Sequence, residues 1–180
     1  MLTKLITQFK DLITSDDSAV TPLPEGEFVK GINLGGDAQT IEGNSWDAYS
    51  TALTNGLSAP GASGIATSVQ PIPYAPPNLR QMLNSVIFKP ETLELTQVLP
   101  PGNYDVYLWI MENYQTNWHS LEVRLNGEVA ATGIGQLPVG HWARYGPYAT
   151  TVNETPLHLT LSTHNPKIDA HLMGVSIFKR

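Results

Sequence analysis

The sequence predicts an all-β protein, an antiparallel β-sandwich preceded by a short amphipathic α-helix. Three observations carry this reading. In residues 93–128, Val106, Leu108 and Ile110 alternate with Asp105, Tyr107 and Trp109, and Leu121, Val123 and Leu125 alternate with Ser120, Glu122 and Arg124. A period of two sustained over this length marks strands with one buried face. Asn126-Gly127 follows the second run at once, and that pair suits a tight hairpin because both central residues take positive φ. Elsewhere many short apolar runs end in Pro- and Gly-rich turns, the pattern of sheets packed face to face.

The chain divides into a docking helix (1–14), a linker (15–26) and the sandwich (27–180). Leu2, Leu5, Ile6, Phe9, Leu12 and Ile13 recur at helical spacing, with Thr3, Lys4, Gln8, Lys10 and Asp11 opposite. A helix this short is marginal alone and must pack on something. It either folds back on the sandwich or binds its own copies or a larger assembly. Strands are expected at 27–33, 39–42, 82–88, 93–98, 142–152, 157–162 and 169–178. Leu34-Gly35-Gly36-Asp37 and Gly43-Asn44 are turns, and Leu157, Leu159 and Leu161 face inward while His158 and Thr160 face out. Residues 50–80, rich in Gly, Ala, Ser and Pro, read as long loops with one short strand near 65–70. Tyr107 and Trp109 share the outward face of their strand and need cover, which the apolar side of the N-terminal helix or a neighbouring subunit would supply.

Composition narrows the function. At 180 residues the chain is one domain plus an extension, and 41% apolar residues suffice for an ordinary core. A net charge of −6 without a basic cluster argues against nucleic acid or an anionic membrane as partner. The absence of cysteine removes disulfides, thiol catalysis and cysteine-bound zinc. No run is apolar enough to span a bilayer, and Lys4, Lys10, Asp11, Asp16 and Asp17 break any secretory leader. The compartment stays undetermined. His119, His141, His158, His164 and His171 form no recognised metal cluster in sequence, so no metal site is expected. A structural Ca²⁺ held by loop oxygens near Asp37 or Asp47 stays open as an alternative.

Four segments, in order, resemble the malectin and malectin-like carbohydrate-binding modules. GINLGGDAQTIEGNSWD (31–47) is similar to that family's first strand and turn. LPPGNYDVYLWIMENY (99–114) is similar to its central strand, which ends in a Glu before a Tyr-bearing loop. LEVRLNGEVA (121–130) is similar to the next strand with its Asn-Gly hairpin, and HNPKIDAHLMGVSIF (164–178) to the closing loop and strand. The resemblance implies an antiparallel jelly-roll sandwich of the galactose-binding-like type, binding sugars at one end on aromatic side chains from several loops. Tyr114 matches the family's tyrosine after the central-strand Glu. Gln115 stands where an aromatic is frequent, Phe88 where a tyrosine is found, and His164, before Asn165 and Pro166, where an acidic residue is frequent.

Sugars present flat C–H faces edged with hydroxyls, so a site needs aromatic plates and planar amides or carboxylates. Residues 112–118 supply both. Tyr114 and Trp118 are the expected stacking surfaces. Asn113, Gln115 and Asn165 are the expected hydroxyl partners, with Glu112 and His164 beside them and Trp46 and Asp47 completing a rim. A tryptophan after a turn is more often a core plug, and Trp118 serves equally well as an edge cover.

The leading expectation is a non-catalytic, lectin-like domain that binds a glycan or polysaccharide. It would be displayed on a homo-oligomer or larger assembly, such as a virion or cell surface, by its N-terminal helix. The alternative is a structural, decoration or adaptor protein, for example of a phage particle, whose sandwich contacts protein. A glycosidase needs two facing carboxylates. Asp37, Glu42, Asp47, Glu112 and Asp169 are available, but no spacing selects a pair, and GxSxG, HExxH and P-loop motifs are absent from the sequence.

Overall fold

The computed structural model describes residues 24–180. The expected helix and the assembly residues Leu2, Leu5, Ile6, Phe9, Leu12 and Ile13 lie outside the described residues, as does most of the linker. The first strands are β1 (Glu27–Asn33), β2 (Gln39–Ile41) and β3 (Asn44–Ala48). Then come the helix α1 (Tyr49–Thr54), strands β4 (Leu57–Ser58) and β5 (Ser63–Ala66), and the helix α2 (Pro77–Leu83). Next are β6 (Ser85–Pro90), β7 (Thr92–Gln97), β8 (Gly102–Met111), β9 (Leu121–Leu125) and β10 (Glu128–Ile134). The chain closes with β11 (Trp142–Val152), β12 (Leu157–Ser162), β13 (Asp169–Leu172) and β14 (Gly174–Lys179).

A six-stranded sheet in the order β11-β8-β14-β1-β3-β2 packs on a five-stranded sheet in the order β10-β9-β12-β7-β4, and β13-β6-β5 form a small third sheet. This is the predicted sandwich. The pairings are antiparallel except β1 with β3. Alternation explains how β8 serves two cores. Tyr104, Val106, Leu108 and Ile110 point between the two main sheets, where Leu121, Val123, Leu125, Leu157, Leu159 and Leu161 meet them. Trp109 and Met111 point the other way, into a second cluster with Trp46, Met82, Leu83 and Met173. Asn126 at φ 50° and Gly127 at φ 87° close the β9–β10 hairpin as their residue types require.

Cover for the second face comes from the domain itself. Trp109 is stacked on Trp142, with ring centroids 5.8 Å apart, and meets the edge of Trp46 at 5.9 Å. Tyr107 packs against Phe178 at 5.6 Å. Arg144 lies over both the Tyr107 and Trp109 rings, at 5.6 and 5.2 Å, while its guanidinium is held by both oxygens of Glu42 at 2.9 Å. A cation on aromatic faces, with its charge satisfied by a bidentate carboxylate, is a stable lid. Tyr107 and Trp109, expected on an outward face, are thus covered by side chains of the sandwich.

Residues 50–80 hold more structure than loops. Pro77 opens α2 at a position where its missing N–H is no loss, and Leu79, Met82 and Leu83 bury its inner face. The strand expected at 82–88 therefore starts later, at Ser85. The expected strand at 169–178 is two strands, β13 and β14, broken at Met173. Trp46 is in the core, 3% exposed, and not on a rim. Its ring lies across two positions without side chains. A Cβ on Gly31 would come within 2.5 Å of the indole, and one on Gly174 within 2.8 Å. Trp46 thus reaches Trp109 over β1 and β14. A Gly31→Ala change overpacks this face and is expected to cost about 1–3 kcal/mol. Gly64→Ala, where a Cβ meets nothing nearer than 3.8 Å, serves as the near-neutral control. Urea midpoints of the two variants check this, and equal midpoints would refute it.

Candidate functional site

Chain parity sets up the end of the sandwich that holds the aromatic loop. Glu112 follows β8 and keeps the inward parity of Leu108 and Ile110, so a carboxylate enters the end of the main core at 0% exposure. It remains bearable there because it is fully bonded. Oε1 accepts the N–H groups of Tyr114 at 2.9 Å and Gln115 at 3.3 Å. Oε2 accepts the N–H of His119 at 3.3 Å and faces His119 Nδ1 at 2.8 Å. Burial alone would raise the Glu112 pKa, but the bonds from His119 and the Tyr114 N–H outweigh it and lower the value.

The clamp folds residues 112–119 into a crest. A turn closes where Trp118 N–H donates to Gln115 O at 3.0 Å, and the crest is tied to residues 137–139 where Asn117 N–H donates to Leu137 O and Val139 N–H to Thr116 Oγ1. Tyr114 stands 62% exposed on top. Trp118 is half-buried beside it, ring centroids 5.3 Å apart and edge to face. Gln115 is exposed and Asn113 half-buried. These four are brought together as expected.

The remaining predicted residues separate. Glu112 is spent inside the crest with both oxygens bonded, which corrects its expected place among the ligand-binding side chains. Trp46 is the core plug already described. Asp47 is ion-paired with Lys30 at 3.1 Å on β3, three strands from β8, or about 14 Å of sheet. It does not complete a rim around the crest. The closing loop is at the crest end, since Ser162 pairs with Glu122 at the start of β9. There His164 Nε2 lies 3.4 Å from Glu122 and its side chain is 64% exposed. Asn165 spends Oδ1 on the Lys167 N–H at 3.0 Å.

A side-chain cluster under the crest escaped the sequence. Asp169 and His171 are two apart on β13 and share a face, while Ala170 and Leu172 enter the main core. His119 stacks on His171 with ring centroids 3.6 Å apart. Its Nε2 lies 3.6 Å from Asp169 Oδ2, an ion-pair contact longer than a hydrogen bond. The ligand atoms of His119, Asp169 and His171 all lie within 4.8 Å of one another. The spacing of the five histidines along the chain shows no recognised metal cluster, and two of them meet here with Asp169. Burial lowers the His119 pKa, but the Asp169 and Glu112 carboxylates win and hold it at about 9. Burial, then the His119 charge, push His171 down, so it stays neutral. Asp169, also opposed by burial, is lowered by His119.

A second feature the sequence did not show is a cleft of about 840 Å³ lined by Gly36, Asp37, Tyr49, Gln70, Arg80 and Gln81. Its wall is stapled by Asn84, which bonds Thr67 Oγ1 and the Val69 backbone on both its N–H and its C=O. The Pro76-Pro77 step and the i, i+3, i+4 spacing of Leu79, Met82 and Leu83 were the signals that this region is walled by a helix.

No family model matches the chain, and no curated protein matches it. The fold is shared with solved structures. A β-glucuronidase of Bacteroides uniformis superposes with a TM-score of 0.66 at 13% identity, over 84% of this chain and 18% of that one. The ANX2 ectodomain from Arabidopsis thaliana gives 0.65 at 17% identity, over 84% and 49%. A plant assembly of peptide RALF23 with FER and LLG2 gives 0.62 at 19% identity, over 84% and 48%. This chain thus spans a fifth to a half of the length of these proteins. At such identity the likeness is one of fold, and it agrees with the malectin-like resemblance at that level. The expectation that the protein is not an enzyme is corrected here. β-Glucuronidases are among the structures carrying this fold, so the fold gives no ground for that exclusion. Among the described residues no helix is long and apolar enough to cross a membrane.

The cluster makes stability depend on pH in both directions. A raised His119 pKa contributes stability that is full below 6.5 and is lost as pH climbs through about 9. The depressed His171 costs stability as pH falls below 6.5, because only the unfolded chain takes up that proton. The lowered carboxylates Glu112 and Asp169 act in the same acid direction. Urea midpoints in metal-free buffer are expected to peak near pH 6.5, with an alkaline decline of a few kcal/mol at most. His119→Gln is expected to abolish that decline. An alkaline limb unchanged in the variant would refute the assignment.

Proposed function

We propose that this protein is a glycan-recognition domain whose sugar seat is the crest formed by residues 112–118. The observation that carries the proposal is the exposed Tyr114 ring, set edge-on to Trp118, on a backbone whose N–H is held by the buried Glu112 carboxylate. An aromatic plate immobilised before binding loses little entropy when a sugar face stacks on it. Gln115 and Asn113 flank the plate with planar amides suited to hydroxyl pairs. Asn165 and His164, on the closing loop at the same end, supply further hydrogen-bonding groups. The resemblance of residues 99–114 to the central strand and Tyr-bearing loop of malectin-like modules supports the same end of the sandwich as the seat.

A ridge of this kind holds one or two sugar rings and binds weakly on its own. Display in many copies, as on a virion or cell surface or in a homo-oligomer, is the setting in which such a site gains useful avidity. A second reading is favoured by the 840 Å³ cleft, which offers Tyr49, Gln70, Gln81, Asp37 and Arg80 in a concave surface. There the ligand is a peptide or a longer glycan, and the crest is bystander surface. One of the structural neighbours contains a peptide in its assembly.

Glycan-array screening followed by titration separates the two. Tyr114→Ala and Trp118→Ala are expected to weaken the best glycan roughly five- to thirtyfold, as loss of a stacking contact of about 1–2 kcal/mol implies. Arg80→Ala is expected to leave that affinity unchanged. Loss of binding in Arg80→Ala alone would move the site to the cleft, and no glycan bound by wild-type protein presented multivalently would end the proposal.

A further inference from the structure

We propose that His119, His171 and Asp169 form a binding site for one divalent transition-metal ion of the zinc class, oriented from behind by Glu112. The first ground is unmet valence. The Nε2 atoms of His119 and His171 are both buried without a hydrogen-bond partner, on side chains that are each 1% exposed. A buried ring nitrogen is almost always paired with protein, water or an ion. Two such atoms on stacked rings, beside the Asp169 carboxylate that His119 Nε2 faces, define a place for a shared ligand.

The second ground is distance. Zinc bonds nitrogen at 2.0–2.1 Å, so two donors on one tetrahedral ion stand about 3.4 Å apart. His119 Nε2 and Asp169 Oδ2 are already 3.6 Å apart, and the full donor set lies within 4.8 Å. The widest separation must shorten by at most about 1.4 Å as the ion binds. The third ground is what stands behind His119. Its Nδ1 faces the Glu112 carboxylate at 2.8 Å. A carboxylate on the far ring nitrogen is the usual outer support of a metal-bound imidazole, because it keeps the proton on Nδ1 while the ion displaces the one on Nε2.

Donor chemistry selects the ion. Two imidazoles and one carboxylate suit zinc and its neighbours, whereas Ca²⁺ and Mg²⁺ take oxygen sets. Asp169 has a side chain 35% exposed, unlike its buried partners, so the ion reaches the site from that side and keeps a solvent-facing position there. The site does not depend on the glycan reading.

The test is titration of tag-free, full-length, chelator-treated protein with zinc sulfate by calorimetry, together with zinc content after dialysis. About one zinc per chain is expected, with a rise in melting temperature and no comparable response to calcium chloride. Asp169→Asn, which keeps the shape of a partly exposed side chain, is expected to weaken zinc binding at least tenfold. His171→Phe, which keeps a buried ring, is expected to abolish it, and if that variant does not fold Asp169→Asn decides. No zinc retained by wild type overturns the proposal. So does zinc retained equally by the variants, which would place the ion elsewhere, or calcium bound as tightly as zinc.

Discussion

One buried carboxylate governs the candidate site. Glu112 is carried into the end of the main core by the parity of β8, and in that position an ionised group is tolerable only with a full set of partners. Its two oxygens take three backbone N–H groups and the His119 ring. Those bonds convert residues 112–119 from a loop into a fixed crest. The same residue therefore determines where Tyr114 points and which His119 nitrogen faces Asp169. The aromatic plate above and the histidine cluster below are two consequences of a single clamp.

A second constraint frees that end of the sandwich from needing outside cover. The six-stranded sheet is apolar on both faces, and its far face would be an adhesive surface if it were bare. Gly31 and Gly174 leave room for Trp46 to lie across two strands and meet Trp109. Trp142, Arg144 and α2 finish the cover. Aromatic burial that looks from sequence like an invitation to a partner is thus satisfied within the domain. The exposed aromatic Tyr114 stands out the more clearly against that background.

What could be read from sequence follows the range of the interactions. Strand periodicity is local, so β8, β9, β11 and β12 and the Asn126-Gly127 hairpin are legible residue by residue. Grouping Asn113, Tyr114, Gln115 and Trp118 is local too, since one loop holds them. Helix α2 was legible in principle, from Pro77 and the spacing of Leu79, Met82 and Leu83, but the Gly/Pro-rich composition around it masked the signal. The role of Glu112 was not legible. A glutamate beside a tyrosine looks like a ligand group, and only the inward parity of Ile110 carried two residues further shows that it turns inside. Trp46 carried its clue in Gly31, a strand glycine that makes room for a ring only once β1 and β3 are known to be neighbours. The meeting of His119 with Asp169 and His171 depends on the register of three sheets at one end, which no local pattern encodes.

The claim on which the account turns is that the Glu112 carboxylate holds the crest in place. Residue-resolved amide hydrogen exchange on Glu112→Gln tests it most directly, because the substitution keeps the shape and removes the charge. The account predicts that the amides of Tyr114, Gln115 and His119, which donate to the two carboxylate oxygens, lose protection by an order of magnitude or more. Val106, Leu108 and Leu159 in the core strands should keep theirs. Unchanged protection across residues 114–119 in a folded Glu112→Gln protein would contradict it.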